Sequence, residues 1–126
     1  MRQAILFVLG LAVGAIAAAN IVSTLRQRDA YPRGLMNVMQ HDTGVLHDAA
    51  RADRCDAATQ GALERLHGLA GEIQTAVYGA EPPDPPFAEY AQRLRTAIPS
   101  SLECKSLPQA LDRVGAACDD CHRQYR

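Results

Sequence analysis

From Ala4 to Val22 the chain carries no charged residue and is apolar around its whole circumference, with no polar stripe. A surface helix of a small soluble domain keeps one wet face, so this run reads as an export or membrane segment. Polar residues take over at Ser23 and Thr24, followed by Arg26 and Arg28, and the pattern then changes to one-sided helical periodicity. Between about 31 and 53, Leu35, Val38, Met39, Asp42, Val45, Leu46 and Ala49 recur at steps of three and four, which predicts helix A, with Pro32 tolerable in its first turn. Leu63, Leu66, Ala70, Ile73 and Val77 predict helix B over 57–78, with Asp56 as a cap and Gly79 as a stop. Four prolines between Gly79 and Pro86 remove donors and bias their predecessors to extended backbone, so this stretch is a loop ending in an Asp84 cap. Helix C follows over 85–98 with Phe87, Tyr90, Ala91, Leu94 and Ile98 inward, and Pro99 closes it. Ser106 and Gln109 have capping-box spacing and open helix D, where Leu107, Leu111, Val114, Cys118, Cys121 and Tyr125 share a face. The expected fold is all-α: an antiparallel up-down-up-down four-helix bundle over 30–126, behind a hydrophobic signal or anchor helix with a short linker over 1–29.

Length adds one constraint, because 126 residues hold one ordinary domain and an appendage. The apolar run exceeds a usual signal-peptide core and is about long enough to span a bilayer, which favours a retained anchor over 4–22. Ala17-Ala18-Ala19 offers a small-residue cleavage site, and Arg26 and Arg28 put positive charge on the side to be translocated, which favours release. Gly10 and Gly14 have the spacing of a helix-pairing motif. Anchored or released, the rest of the chain is expected in an oxidising compartment, the periplasm, where cysteines are used covalently. Between Ala30 and Arg126 there are 10 basic and 13 acidic residues, a balance of −3 that argues against a nucleic-acid partner. No motif for phosphate binding or nucleophilic catalysis occurs, so an enzyme with its own substrate is not expected.

The chemistry is concentrated in Cys118-Asp119-Asp120-Cys121-His122. Cysteines at i and i+3 project to one side of a helix, where two sulfurs can bond the vinyl groups of one haem and the adjacent imidazole can meet the iron. A thioredoxin-like pair wants a strand-turn-helix setting that the periodicity does not offer. A zinc site needs more ligands, and Cys55, Cys104, His41, His47 and His67 lack paired ligand spacing. A plain disulfide would leave the following histidine unexplained. Covalent haem c, one per chain, is the reading that uses all three residues.

The run from Val114 to Arg126 resembles the end of cytochrome c-prime and its low-spin class II relatives, which carry this motif at the C-terminus of a four-helix bundle, commonly followed by a Tyr-Arg pair. The resemblance implies that the residue facing the iron comes from the start of helix A. Tyr31-Pro-Arg-Gly-Leu-Met36-Asn-Val-Met39 is similar to the family's Arg-x-x-x-Leu/Met pattern, and Met36 falls best at that position, although Arg33 stands three rather than four residues before it. The likeness extends over 31–126 in architecture and is specific mainly at its two ends. It also matches Arg126 to an arginine near the proximal histidine.

These residues set the functional alternatives. With His122 on one side and Met36 on the other, the iron is six-coordinate and suited to moving single electrons with a redox partner protein. If Met36 only packs, with Leu35 and Met39, the iron is five-coordinate and binds a small gas such as NO or CO. A third class uses the haem only to hold the bundle together. Arg33 is a candidate partner for a haem propionate, and Tyr125 is expected against the haem or helix A. His41, His47 and His67 lie farther along helices A and B and read as surface or satisfied histidines, with His41 the nearest substitute for Met36. Bundle topology brings the loops carrying Cys55 and Cys104 together, which predicts a disulfide. Apolar outer positions on helices A and B would suit a homodimer.

Overall fold

The computed structural model describes residues 2–101 and 103–125. Among these, four α-helices are present: α1 Arg2–Arg51, α2 Ala57–Tyr78, α3 Pro85–Ala97 and α4 Leu107–Tyr125. The all-helical class and the apolar N-terminal helical segment are as expected. Helices B, C and D correspond to α2, α3 and α4, but helix A does not begin near 31. It continues an unbroken α1 that already contains the apolar run. Polar side chains do not by themselves stop a helix, and Thr24 turns its hydroxyl back onto the Asn20 carbonyl at 2.9 Å, one turn earlier. Pro32 sits inside α1, where it removes one ladder donor without ending the helix.

Two compact units divide this chain, Met1–Arg33 and Gly34–Arg126. In the first, Phe7–Thr24 is long and apolar enough to cross a membrane, with a mean hydropathy of 2.0 and none of its residues buried. Phe7, Leu9, Val13 and Ile16 all stand exposed. Such a surface has the character of a signal or anchor helix.

The second unit builds a core from all four helices. Leu35, Met39 and Leu46 of α1 join Leu63, Leu66 and Ile73 of α2, Phe87 and Leu94 of α3, and Leu107, Leu111 and Val114 of α4. α3 packs on α2 and on α4. Two stripe positions depart from the expected pattern: Val38 and Val77 are each 45% exposed, and Ala76 takes the inward place beside Val77. A stripe read by apolar identity alone drifts to its edge, where a valine meets water.

Helix ends follow local chemistry. Asp56 caps α2 by accepting from the Thr59 amide at 2.9 Å and hydroxyl at 2.8 Å. Gly79 ends α2 at φ 63°, in the left-handed region that favours glycine, with its amide on the Thr75 carbonyl. Asp53, at φ 46°, performs the same turn after α1 and lets the Arg54 amide reach the Ala49 carbonyl at 2.9 Å. The expected capping box at α4 does not form. The Ser106 hydroxyl bonds Glu103, donating to its carbonyl at 3.2 Å.

Among the described residues, one charged side chain is buried in the core. Asp42 is fully enclosed and receives Arg65 in a fork, with Nη2 at 2.7 Å from Oδ1 and Nε at 3.2 Å from Oδ2. A carboxylate taken out of water needs such a partner. It therefore fixes how α1 meets α2.

Candidate haem-binding site

A cavity of about 580 Å³ opens between the second half of α1 and the end of α4. Its α1 wall carries Met36, Asn37, Met39, Gln40, Thr43, Gly44 and His47, and its α4 wall Val114, Gly115, Cys118, Asp119 and His122. A volume of this order suits a cofactor-sized ligand. The core face and cavity face are adjacent stripes of the same helices. At 100° per residue, Met36, Thr43 and His47 fall within about 40° of one another on α1, roughly a quarter turn from Leu35 and Leu46. On α4, Cys118 and His122 are one turn apart and lie on the cavity side of Val114.

Several residues singled out by sequence therefore meet in one place: Cys118 and His122 from one end of the unit, Met36 and Met39 from the other. His122 is exposed at its edge, Cys118 and Met36 are half-buried, and Met39 is buried. Leu35 is not in the wall; it joins the core at 5% exposure. Cys121 is half-buried and does not line the cavity. Arg33 is exposed in the N-terminal unit. Arg126 lies outside the described residues. Tyr125, expected against the haem or helix A, makes its ring contacts with Phe87 and Tyr90 of α3 and donates its hydroxyl to Asp84 at 2.6 Å.

His47 is exposed, as expected of a surface histidine, and it also lines the rim of the cavity that His122 borders, which sequence reasoning did not anticipate, whereas His41 lies on a separate surface groove of α1. Steps of four, three and four from Met36 through Gln40 and Thr43 to His47 carried the signal. His67 is a satisfied surface histidine, with Nε2 at 2.8 Å from the Pro99 carbonyl.

The two motif thiols are both free, and burial pushes both upward from the ordinary thiol range. For Cys118 the neighbouring Asp119 charge adds to burial. Dithiol redox centres depend on the opposite shift, toward thiolate, so this environment disfavours the thioredoxin-like alternative. Among the described residues, no three His, Cys, Asp or Glu side chains converge as a metal site, which leaves the zinc alternative without a ligand set. What remains is a pair of thiols within one helical turn, of which Cys118 lines the cavity together with the His122 imidazole, with thioethers on the opposite wall. That donor set fits a covalently attached haem, with a nitrogen ligand on one side and a thioether on the other.

Cys55 and Cys104 stand at disulfide distance, with Cα atoms 5.9 Å apart at a sequence separation of 49. The α1–α2 and α3–α4 loops thus meet. Compared with family models, curated proteins and solved structures, the chain gives no match.

Proposed function

We propose that this chain is an exported monohaem c-type cytochrome of the class II, cytochrome c-prime-like kind, a single-electron carrier of the periplasm. In this reading residues 34–126 form an antiparallel up-down-up-down bundle, an arrangement supported by the meeting of the two loops at Cys55 and Cys104 and by the pairing of α1 and α4 walls around one cavity. The observation that carries the proposal is that His122 and Cys118 face the same cavity as Met36 and Met39.

Each residue has a physical task. Cys118 and Cys121 would supply the sulfurs that hold the porphyrin covalently, each thiol adding its sulfur and hydrogen across one vinyl double bond. His122 would hold the iron through a ring nitrogen, and Met36 would offer its thioether from α1. The bound haem supplies an iron that cycles by one electron, and a His/Met pair raises its potential. Met39 and Val114 exclude water from that side of the cavity, which limits reorganisation as charge changes. Asp42, clamped by Arg65, keeps α1 turned so that Met36 faces the cavity while Leu35 and Leu46 face the core. The apolar segment over 4–22 either tethers the carrier to the inner membrane or directs its release after cleavage. A redox partner protein is implied, and nucleic acid is not.

Absorption spectra of the purified holoprotein test this reading, taken oxidised and reduced and again after carbon monoxide. A low-spin spectrum indifferent to the gas is expected, and Met36→Ala converts it to high-spin. Prompt gas binding by a high-spin ferrous protein would replace the carrier by the five-coordinate gas-binding alternative. A polypeptide mass without covalent haem, after maturation in an export-competent cell, would end both.

A further inference from the structure

We propose that Asp84 is a positioning residue for His122: through the Tyr125 hydroxyl it holds the last turn of α4 so that the imidazole stays directed at the cavity. The inference rests on the haem reading and adds to it the device that keeps the proximal ligand in place.

Helix termini fray, because the last carbonyls lack partners, and His122 belongs to the final turn of α4. Covalent sulfurs at Cys118 and Cys121 would tether the cofactor, but they leave open which way the terminal turn faces. In this structure that turn is gripped from α3. Asp84 Oδ1 accepts the Tyr125 hydroxyl at 2.6 Å and the Phe87 amide at 2.8 Å, while Oδ2 accepts the Tyr78 hydroxyl. One carboxylate so joins the end of α2, the start of α3 and the end of α4. The buried Phe87 ring stands edge-on to Tyr78 and Tyr125, with centroids at 4.9 and 5.1 Å. Tyr125 and His122 are about 60° apart around the helix, so rotating the last turn enough to free the hydroxyl swings the imidazole away from its wall. The grip and the ligand thus lie on neighbouring sides of one turn, the first facing α3 and the second facing α1.

The test uses the holoprotein and two variants that remove one hydroxyl each from the same ring cluster. Tyr125→Phe keeps the ring and deletes the bond to Asp84; Tyr90→Phe, whose ring meets Tyr125 at 6.0 Å, serves as the control. Two readouts are followed: amide hydrogen exchange along α4, and the temperature at which the haem ligation spectrum is lost compared with that at which far-UV helicity is lost. In Tyr125→Phe, amides from His122 to Tyr125 are expected to exchange about tenfold faster, with those of Leu111 and Val114 unchanged. Ligation is then lost several degrees before helicity, whereas the two coincide in the parent and in Tyr90→Phe. Asp84→Asn, which retains a capping oxygen, gives the same separation in smaller measure. If ligation and helicity fall together in Tyr125→Phe, or if neither moves, the carboxylate is a structural clamp only and the inference is overturned. A parent protein without haem defeats the reading beneath it instead, a result visible in its mass before any variant is compared.

Discussion

Two stretches of the same helix face opposite problems. Over Phe7–Thr24, α1 buries nothing and presents apolar side chains on every side; from Leu35 to Ala49 it buries one stripe and leaves the rest to solvent or to the cavity. Backbone geometry is the same in both. What differs is how much of the circumference is apolar, and that alone decides whether the surroundings must be lipid-like or a packed core. The comparison also explains why the second stretch can carry chemistry. A helix with one committed stripe has neighbouring faces available, and Met36 and His47 occupy one of them.

The contrast breaks most sharply if the first stretch is made one-sided. Lysines at Leu9, Val13 and Ile16 together should abolish membrane association of the uncleaved chain, since each costs roughly 2.5–3.5 kcal/mol at mid-bilayer depth. Thermal unfolding of the 34–126 core should not change, and fractionation beside calorimetry checks both. Replacing Cys55 and Cys104 by serine should cost the core about 4 kcal/mol by the chain-entropy model for a loop of 49 residues. Urea denaturation measures it, and two reactive thiols beyond the motif pair in denatured, unreduced parent protein would contradict the bond. Leu46→Ala, within the committed stripe at 1% exposure, should lose about 3 kcal/mol by the same assay.

A smaller effect follows from the Asp84 cluster. Hydrogen bonds from Tyr125, Tyr78 and the Phe87 amide hold the Asp84 carboxyl below its ordinary range. Its contribution to stability is therefore present above pH 3.8 and is lost as pH falls through the lower folded value. Tyr125 is the alkaline counterpart, pushed up to about 12 chiefly by its bond to Asp84, so its contribution is complete below pH 10 and fades as pH rises toward 12. In Tyr125→Phe the alkaline decline should flatten, as seen in pH-dependent melting. Least of all, Val38→Thr, at the wet edge of the α1 stripe, should stay within about 0.5 kcal/mol of the parent.

Much of this was legible where a signal is local. Asp56, Gly79, Asp84 and the prolines around them fix helix ends by capping and by missing donors, and α2 and α3 begin at the expected residues. The start of helix A was not legible, because Ser23, Thr24 and the arginines mark a change of environment that the backbone crosses without interruption. Cys118, His122 and Met36 could be named from spacing and resemblance, and they share one cavity. His47 is at the surface as expected, but its place on the cavity rim follows from its angle around the helix rather than its distance along the chain. The destination of Tyr125 depends on a loop carboxylate 41 residues earlier, a pairing that no periodicity encodes.

The Cys55–Cys104 pair closes a ring around α2 and α3 only, leaving α4 as a tail beyond it. A first disulfide among four thiols can form in six ways, and just one of these, Cys55–Cys104, leaves both Cys118 and Cys121 free. On the proposed haem reading, maturation of this chain would be a sorting problem before it is an attachment problem: whichever reaction sews the ring first would also decide whether the tail could still receive its pigment.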